Sequence, residues 1–255
     1  MAKPRWSQHF LRDSGVVARI LGAAGLEPGD RVLEIGPGEG ALTLPMLERV
    51  SRVVACEIDP HWAARLKNLK GPLKVLQGDF LKVDLKRELT GGCEGGWKVV
   101  ANLPYAITSP ILEKLLLEGA GRISDMWLMV QKEVAERVAA RGTRDTGALT
   151  IFVQLRAEVE LLFEVPRGCF DPPPEVDSAV LHFRLHPVPE GVDLARLSQL
   201  VRVSFHQRRK MLKRSLSPLL GDRAEDVLRQ AGIDPTRRPE TLRWEDFVAL
   251  ERAWG

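Results

Sequence analysis

The chain reads as an α/β protein, a doubly wound and mostly parallel sheet followed by a small all-α segment. Three observations predict this. Short, almost continuously apolar runs alternate with helix-patterned runs over roughly the first 140 residues, as expected where helices cover both sheet faces. After Gly147 the alternation stops, and two late strand-like runs are joined by a proline-rich loop. From residue 190 onward only helical patterning remains.

Taken in order, the elements are these. A basic arm ends in Trp6-Ser7-Gln8-His9-Phe10-Leu11, and a helix follows that Asp13 or Ser14 caps, with Val17, Ile20, Leu21 and Ala24 as its apolar face. Gly29-Asp30 is a turn; strands at 31–35 and 52–58 alternate with helices at 41–50 and 60–69, the second with Pro60 at its start. Strands at 73–77 and 99–101, a helix at 107–118, a strand at 126–130 and a helix at 132–140 complete the alternation, which implies parallel strands. A helix at 148–156 precedes strands at 159–165 and 178–185, a hairpin of the kind that adds to a sheet edge. His186-Pro187-Val188-Pro189 excludes regular structure and reads as a linker. Helices at 193–215, 222–231 and 245–252 finish the chain. The expected domains are 1–186 and 190–255.

Composition sets bounds. The 255 residues, 44% hydrophobic, suffice for one large domain or one plus a small one. No run of about 20 apolar residues occurs, and the N-terminus lacks the apolar core of a signal peptide, so a cytoplasmic protein is expected. Cys56, Cys93 and Cys169 are far apart and suggest neither a disulfide framework nor a metal site. The net charge of +3 lies in the last quarter, where 13 Lys and Arg stand against 10 Asp and Glu.

Chemistry concentrates at strand ends. Val32-Leu33-Glu34-Ile35-Gly36-Pro37-Gly38-Glu39-Gly40 runs from strand into helix, and glycines at 36, 38 and 40 let backbone approach a ligand closely. The spacing is not GxGxxG, and Glu39 repels a pyrophosphate, so an adenosine without phosphates fits better. Glu57 ends the next strand, where an acid accepts the hydroxyls of a ribose. Asp79, in Gly78-Asp79-Phe80, ends the third and can accept from an adenine amino group. The ligand inferred is S-adenosylmethionine. Asn102-Leu103-Pro104-Tyr105 ends a further strand: an amide, a stiff turn and an aromatic ring, suited to a flat base with an exocyclic amino group. Read plainly, the same four residues are a strand-to-helix turn with a buried Tyr.

These residues resemble the S-adenosylmethionine-dependent ribosomal RNA adenine N6-dimethyltransferases. Gln8-His9-Phe10-Leu11 is similar to that family's N-terminal cofactor motif, and Phe170-Asp171-Pro172-Pro173-Pro174-Glu175-Val176-Asp177-Ser178 to its F-x-P-x-P-x-V-x-S loop. The resemblance covers nearly the whole chain, and the short helical C-terminal part looks like the small-subunit branch. It implies a Rossmann-like class I methyltransferase fold with seven strands. It also implies dimethylation of two adjacent adenosines near the 3′ end of 16S rRNA, within the 30S subunit or its precursor. Carried onto this chain, it makes His9, Leu11, Gly36, Gly38, Gly40, Glu57, Asp79 and Asn102 cofactor contacts. Asn102, Leu103, Pro104 and Tyr105 form the catalytic segment, and Tyr105 and Phe170 clamp the base. His9 stands where many relatives have Asn, and Ala106 where many have a polar residue.

Arg202, His206, Arg209 and Lys213 follow helical spacing, with Arg208, Lys210 and Arg214 beside them and no acid from 202 to 214. That face is expected to contact RNA phosphates. A monomer is expected. Methylation of 23S rRNA or of DNA adenine, or a non-catalytic role in ribosome assembly, are the other readings.

Overall fold

The structure is a computed structural model that describes residues 8–90, 96–139, 147–207 and 209–255. The chain divides into two compact units, Met1–Ala139 with Glu158–Leu185, and Ala140–Ala157 with His186–Gly255.

The first unit is built on seven strands: β2 (Arg31–Ile35), β3 (Arg52–Glu57), β4 (Leu73–Gln77), β5 (Trp97–Asn102), β6 (Ile123–Gln131), β7 (Ala157–Val165) and β9 (Ser178–Leu185). They lie in the order β4-β3-β2-β5-β6-β9-β7. The first five are parallel, and β9 runs antiparallel to β6. Val32, Leu33, Val53, Val54, Val99 and Val100 are fully buried, which is why these strands read as nearly continuous apolar runs rather than alternating ones. A separate two-stranded ladder pairs β1 (Phe10–Leu11) with β8 (Phe170–Asp171); two residues carry no legible period, so the sequence pattern does not announce it.

The helices of this unit are α1 (Ser14–Ala24), α2 (Thr43–Leu47), α3 (Pro60–Lys67), α4 (Leu85–Glu88), α5 (Thr108–Glu118) and α6 (Lys132–Ala139). Asp13 caps α1 by accepting from Val16 N at 2.9 Å. The buried face of α1 is Val16, Ile20, Leu21 and Ala24, with Val17 packed only partly. The regular part of α2 is shorter than 41–50, although Leu44 N to Gly40 O and Val50 N to Met46 O carry the coil on at both ends.

The second unit is helical: α7 (Ala148–Arg156), α8 (Leu194–His206), α9 (Leu212–Leu220), α10 (Ala224–Gln230) and α11 (Trp244–Trp254). Two features differ from expectation. First, α7 groups with this unit, not with residues 1–186, because its buried Ile151, Phe152, Val153 and Leu155 pack toward α8 and α11. Its amphipathic face is legible in the sequence; its packing partner is not. Second, the single helix expected over 193–215 is two. Gln207 leaves the helical region, Met211 is extended, and Leu212 N and Lys213 N donate to Arg237 O (2.8 Å) and Pro235 O (3.2 Å) rather than to carbonyls one turn back. Arg209 and Lys210 therefore lie in the connection, not on a helical face with Arg202 and Lys213. Among the described residues no helix is long and apolar enough to cross a membrane.

Candidate active site

Four adjacent parallel strands, β4, β3, β2 and β5, bring their carboxyl ends to one rim. The ladder continues past those ends. Gly36 N donates to Cys56 O (2.9 Å), Gly78 N to Glu57 O (2.8 Å) and Leu103 N to Met129 O (3.0 Å). Each loop thus starts in register with the strand beside it. A cavity of about 740 Å³ opens there, bordered by the glycine loop, Glu57, Asp79, Asn102 to Tyr105, and residues 8–12.

Gly36, Gly38 and Gly40 all have positive φ. The requirement is sharpest at Gly38, where φ is +53° and a Cβ would come within 2.9 Å of the Phe10 ring. Glu57 holds this loop from below. Its Oε2 accepts from Gly38 N at 2.9 Å and its Oε1 from Asp59 N at 2.8 Å, and each oxygen keeps one further acceptor direction. Burial raises the Glu57 pKa, and the two backbone donors oppose that rise. Asp79 Oδ1 accepts from Leu81 N at 2.9 Å, capping a short 3-10 turn.

Sequence reasoning takes Glu34 only as part of the strand, but it borders the cavity and is buried. Burial, with a smaller contribution from the Glu57 charge, pushes its pKa up to about 8 against a hydrogen bond from Thr43 Oγ1 at 2.6 Å. At neutral pH its carboxyl is therefore mainly protonated. Cys56 also borders the cavity; burial pushes its thiol up to about 12, so it is wall and not nucleophile.

Asn102 ends β5 with its side chain in the cavity wall. Its Nδ2 donates to His9 O at 3.4 Å, while its Oδ1 is buried and has no partner among the described residues. Buried amide oxygens rarely go unpaired, so this one points to a donor brought by a ligand. Leu103 is buried behind it. The Tyr105 ring stacks on His9 with centroids 5.8 Å apart, and its hydroxyl shares a hydrogen bond of 2.6 Å with Ser178 Oγ. His9 Nδ1 in turn donates to Pro172 O at 2.8 Å.

The geometry places Phe170 elsewhere. It is 4% exposed, belongs to the core cluster with Leu11, Val165 and Val180, and does not border the cavity. Leu11 and Phe170 are directly opposed in the β1–β8 register, so both point to the same side, into the core. In this structure Phe170 therefore stands in the core and not on the cavity wall, where the resemblance would have it clamp a base. Alternation turns Phe10 the other way, onto Gly38, and Phe10 and Arg12 are cavity residues that the motifs alone do not single out. Leu11 borders both core and cavity.

In the second unit Arg202, His206, Arg209 and Lys210 are exposed, and Arg208 lies outside the described residues. Lys213 is half-buried and lies 3.7 Å from Glu225, which also pairs with Arg229 at 2.8 Å. Its charge is partly answered within the unit.

Residues 1–253 match the family model described as ribosomal RNA adenine dimethylase. The chain is similar to a Pseudomonas aeruginosa protein named ribosomal RNA small subunit methyltransferase A, with 45% identity over 98% of this chain and 93% of the relative. Among solved structures it is similar to a dimethyladenosine transferase from Plasmodium falciparum, with a TM-score of 0.73 and 28% identity over 95% of this chain and 96% of the other. It is also similar to the 23S rRNA methyltransferase ErmE, with a TM-score of 0.61 and 30% identity over 96% of this chain and 98% of that one.

Proposed function

The chain belongs to the ribosomal RNA adenine dimethylase family, and from that membership and the site's geometry we propose that it is a small-subunit rRNA adenine N6-dimethyltransferase. It transfers methyl groups from S-adenosylmethionine to two adjacent adenosines near the 3′ end of 16S rRNA. The observation that carries the reading is Asn102 Oδ1, a buried acceptor awaiting a donor at the strand end beside Tyr105.

The residues present fit the cofactor. Glu57 keeps acceptor capacity for a ribose, and Asp79 keeps a second oxygen for an amino group. The backbone at Gly36 and Gly78 is open, since an added Cβ would meet nothing closer than 3.8 Å at the first and nothing within 4 Å at the second. The cavity's size suits a nucleoside-sized ligand. S-adenosylmethionine, when bound, supplies an electrophilic methyl on a sulfonium.

The chain's own residues position the acceptor. Asn102 Oδ1 and a backbone carbonyl of the Leu103–Pro104 turn accept the two hydrogens of the adenine amino group. That draws the nitrogen out of conjugation with the ring and aims its lone pair. Orientation of this kind supplies most of the rate, and no strong base is required if the proton leaves after transfer. Tyr105 offers a stacking face worth about 1–3 kcal/mol to an unstacked base, and its bond to Ser178 fixes the ring. Arg202, His206, Arg209 and Lys210, with Arg208, supply phosphate contacts from the second unit. The partner is 16S rRNA in the small subunit or its precursor, and the enzyme works as a cytoplasmic monomer.

Methyl transfer from labelled S-adenosylmethionine, assayed on unmethylated small subunits, 23S rRNA and duplex DNA, tests the reading. Label in two adjacent adenosines of the small subunit alone is expected. Label only in 23S rRNA would move the chain to the large-subunit branch, and no label anywhere would leave a binding factor.

A further inference from the structure

One wall of the cavity is not itself a strand of the main sheet, which it meets at the end of β5, where Asn102 Nδ2 donates to His9 O at 3.4 Å. Residues 8–12 reach it through the two-residue strand β1, whose backbone partners are Phe170 and Asp171, with one further backbone bond from Arg12 N to Cys169 O at 2.8 Å. A segment held by so short a ladder belongs to the low-stability end of a fold, and its side-chain contacts decide how often it lifts. Two contacts tie it to the glycine loop. The Phe10 ring lies over Gly38 and meets Trp62 edge-on, with centroids 5.2 Å apart. The Arg12 guanidinium forms a two-pronged ion pair with Glu39, Nη1 to Oε2 and Nη2 to Oε1, the latter at 3.2 Å. Asp171 Oδ2 stands 3.8 Å from the same guanidinium. Phe10, Arg12 and Glu39 all border the cavity, so the ion pair closes the strap onto the loop that the cofactor would touch.

We propose that Arg12 is a positioning residue: paired with Glu39, it latches the strap over the cavity and sets the residence time of the cofactor. Arg12 suits this better than Lys would, because the planar fork answers both carboxylate oxygens at once. The pair is partly exposed, with side chains 49% and 28% accessible, so the latch weakens as ionic strength rises. The proposal rests on the reading that the cavity holds S-adenosylmethionine.

The test uses the full chain, with dissociation of S-adenosylhomocysteine followed by stopped flow in wild type, Arg12→Ala, Glu39→Ala and the charge-swapped double variant Arg12→Glu/Glu39→Arg. Each single variant is expected to release the ligand about three- to fivefold faster, the size a partly exposed pair yields. The double variant should release it more slowly than either single one, though Asp171 keeps the rescue incomplete. Amides of residues 8–12 should exchange faster in the single variants while core amides keep wild-type protection. Single variants that match wild type, or a double variant as fast as the single ones, would overturn the latch. A wild-type chain that binds neither S-adenosylmethionine nor S-adenosylhomocysteine would overturn it together with the cofactor reading.

Discussion

Replacing Glu57 by Gln keeps shape and removes one acceptor. In the native site the two carboxylate oxygens serve two separate backbone donors, Gly38 N at 2.9 Å and Asp59 N at 2.8 Å, on a side chain that is 2% exposed. A Gln offers one carbonyl oxygen, so its NH₂ must face one of those donors. The loss comprises a charge-assisted hydrogen bond, about 1.5–3 kcal/mol, and a stranded backbone N–H, about 1–3 kcal/mol. Relief of the desolvation that raises the Glu57 pKa offsets part of this. A net loss of about 2 kcal/mol remains, mostly in the ordering of the glycine loop, which corresponds to roughly 30-fold weaker cofactor binding. Isothermal titration with S-adenosylhomocysteine at pH 7 measures it, with thermal melting of the ligand-free chain as control. Affinity within twofold of wild type would refute the reasoning, because it would mean that neither bond orders the loop.

Asn102→Ala should lower kcat by at least about 100-fold, the scale for removing one preorganised polar contact at a reacting group, with cofactor binding weakened but measurable; near-normal turnover would rule out its role. Glu34 gives a pH signature. Its folded pKa, raised from 4.5 to about 8, means the native state holds the proton more tightly, so this stabilisation is full below 4.5 and is lost as pH rises toward 8. Urea unfolding from pH 4 to 9 should show the stability of Glu34→Gln gaining on wild type across that window, and parallel profiles would contradict the buried neutral carboxyl. Changing Arg208, Arg209 and Lys210 together to Ala should weaken binding to 16S rRNA fragments and flatten the salt slope by roughly two to three, about one for each phosphate no longer neutralised; an unchanged slope would remove this segment from the interface.

The rim of the sheet was legible because strand and loop chemistry are contiguous there. Val32 to Ile35 is apolar except for Glu34 and runs into glycines, and Asn102 directly follows Val99 to Ala101. Once β-α alternation makes such strands parallel, their chemically distinctive ends fall on one rim without any long-range knowledge. The single helix expected over 193–215 breaks for an instructive reason. Leu197, Val201, Phe205, Leu212 and Leu216 keep helical phase across the whole stretch. From Phe205 to Leu212 is a full heptad, so a break between them leaves the apolar period intact. Periodicity reports phase, not continuity, and the interruption is set by donors that reach Arg237 O and Pro235 O.

Phe170 shows the same limit at the site. The proline-rich motif says which residues travel together; it does not say which side of a two-residue strand faces the cavity. That choice is made by pairing with Phe10-Leu11, far away in sequence. Burial of Leu11 against the core carries Phe170 in with it, and the strict alternation of a strand then leaves Phe10 and Arg12 facing the glycine loop. The ladder that turns one aromatic into the core thereby places another, with a guanidinium beside it, over the backbone that would hold the cofactor. If the strap retains the cofactor as proposed, that retention follows from which face of β1 is apolar enough to enter the core, and Leu11→Ala should speed release of S-adenosylhomocysteine although Leu11 packs mainly into that core.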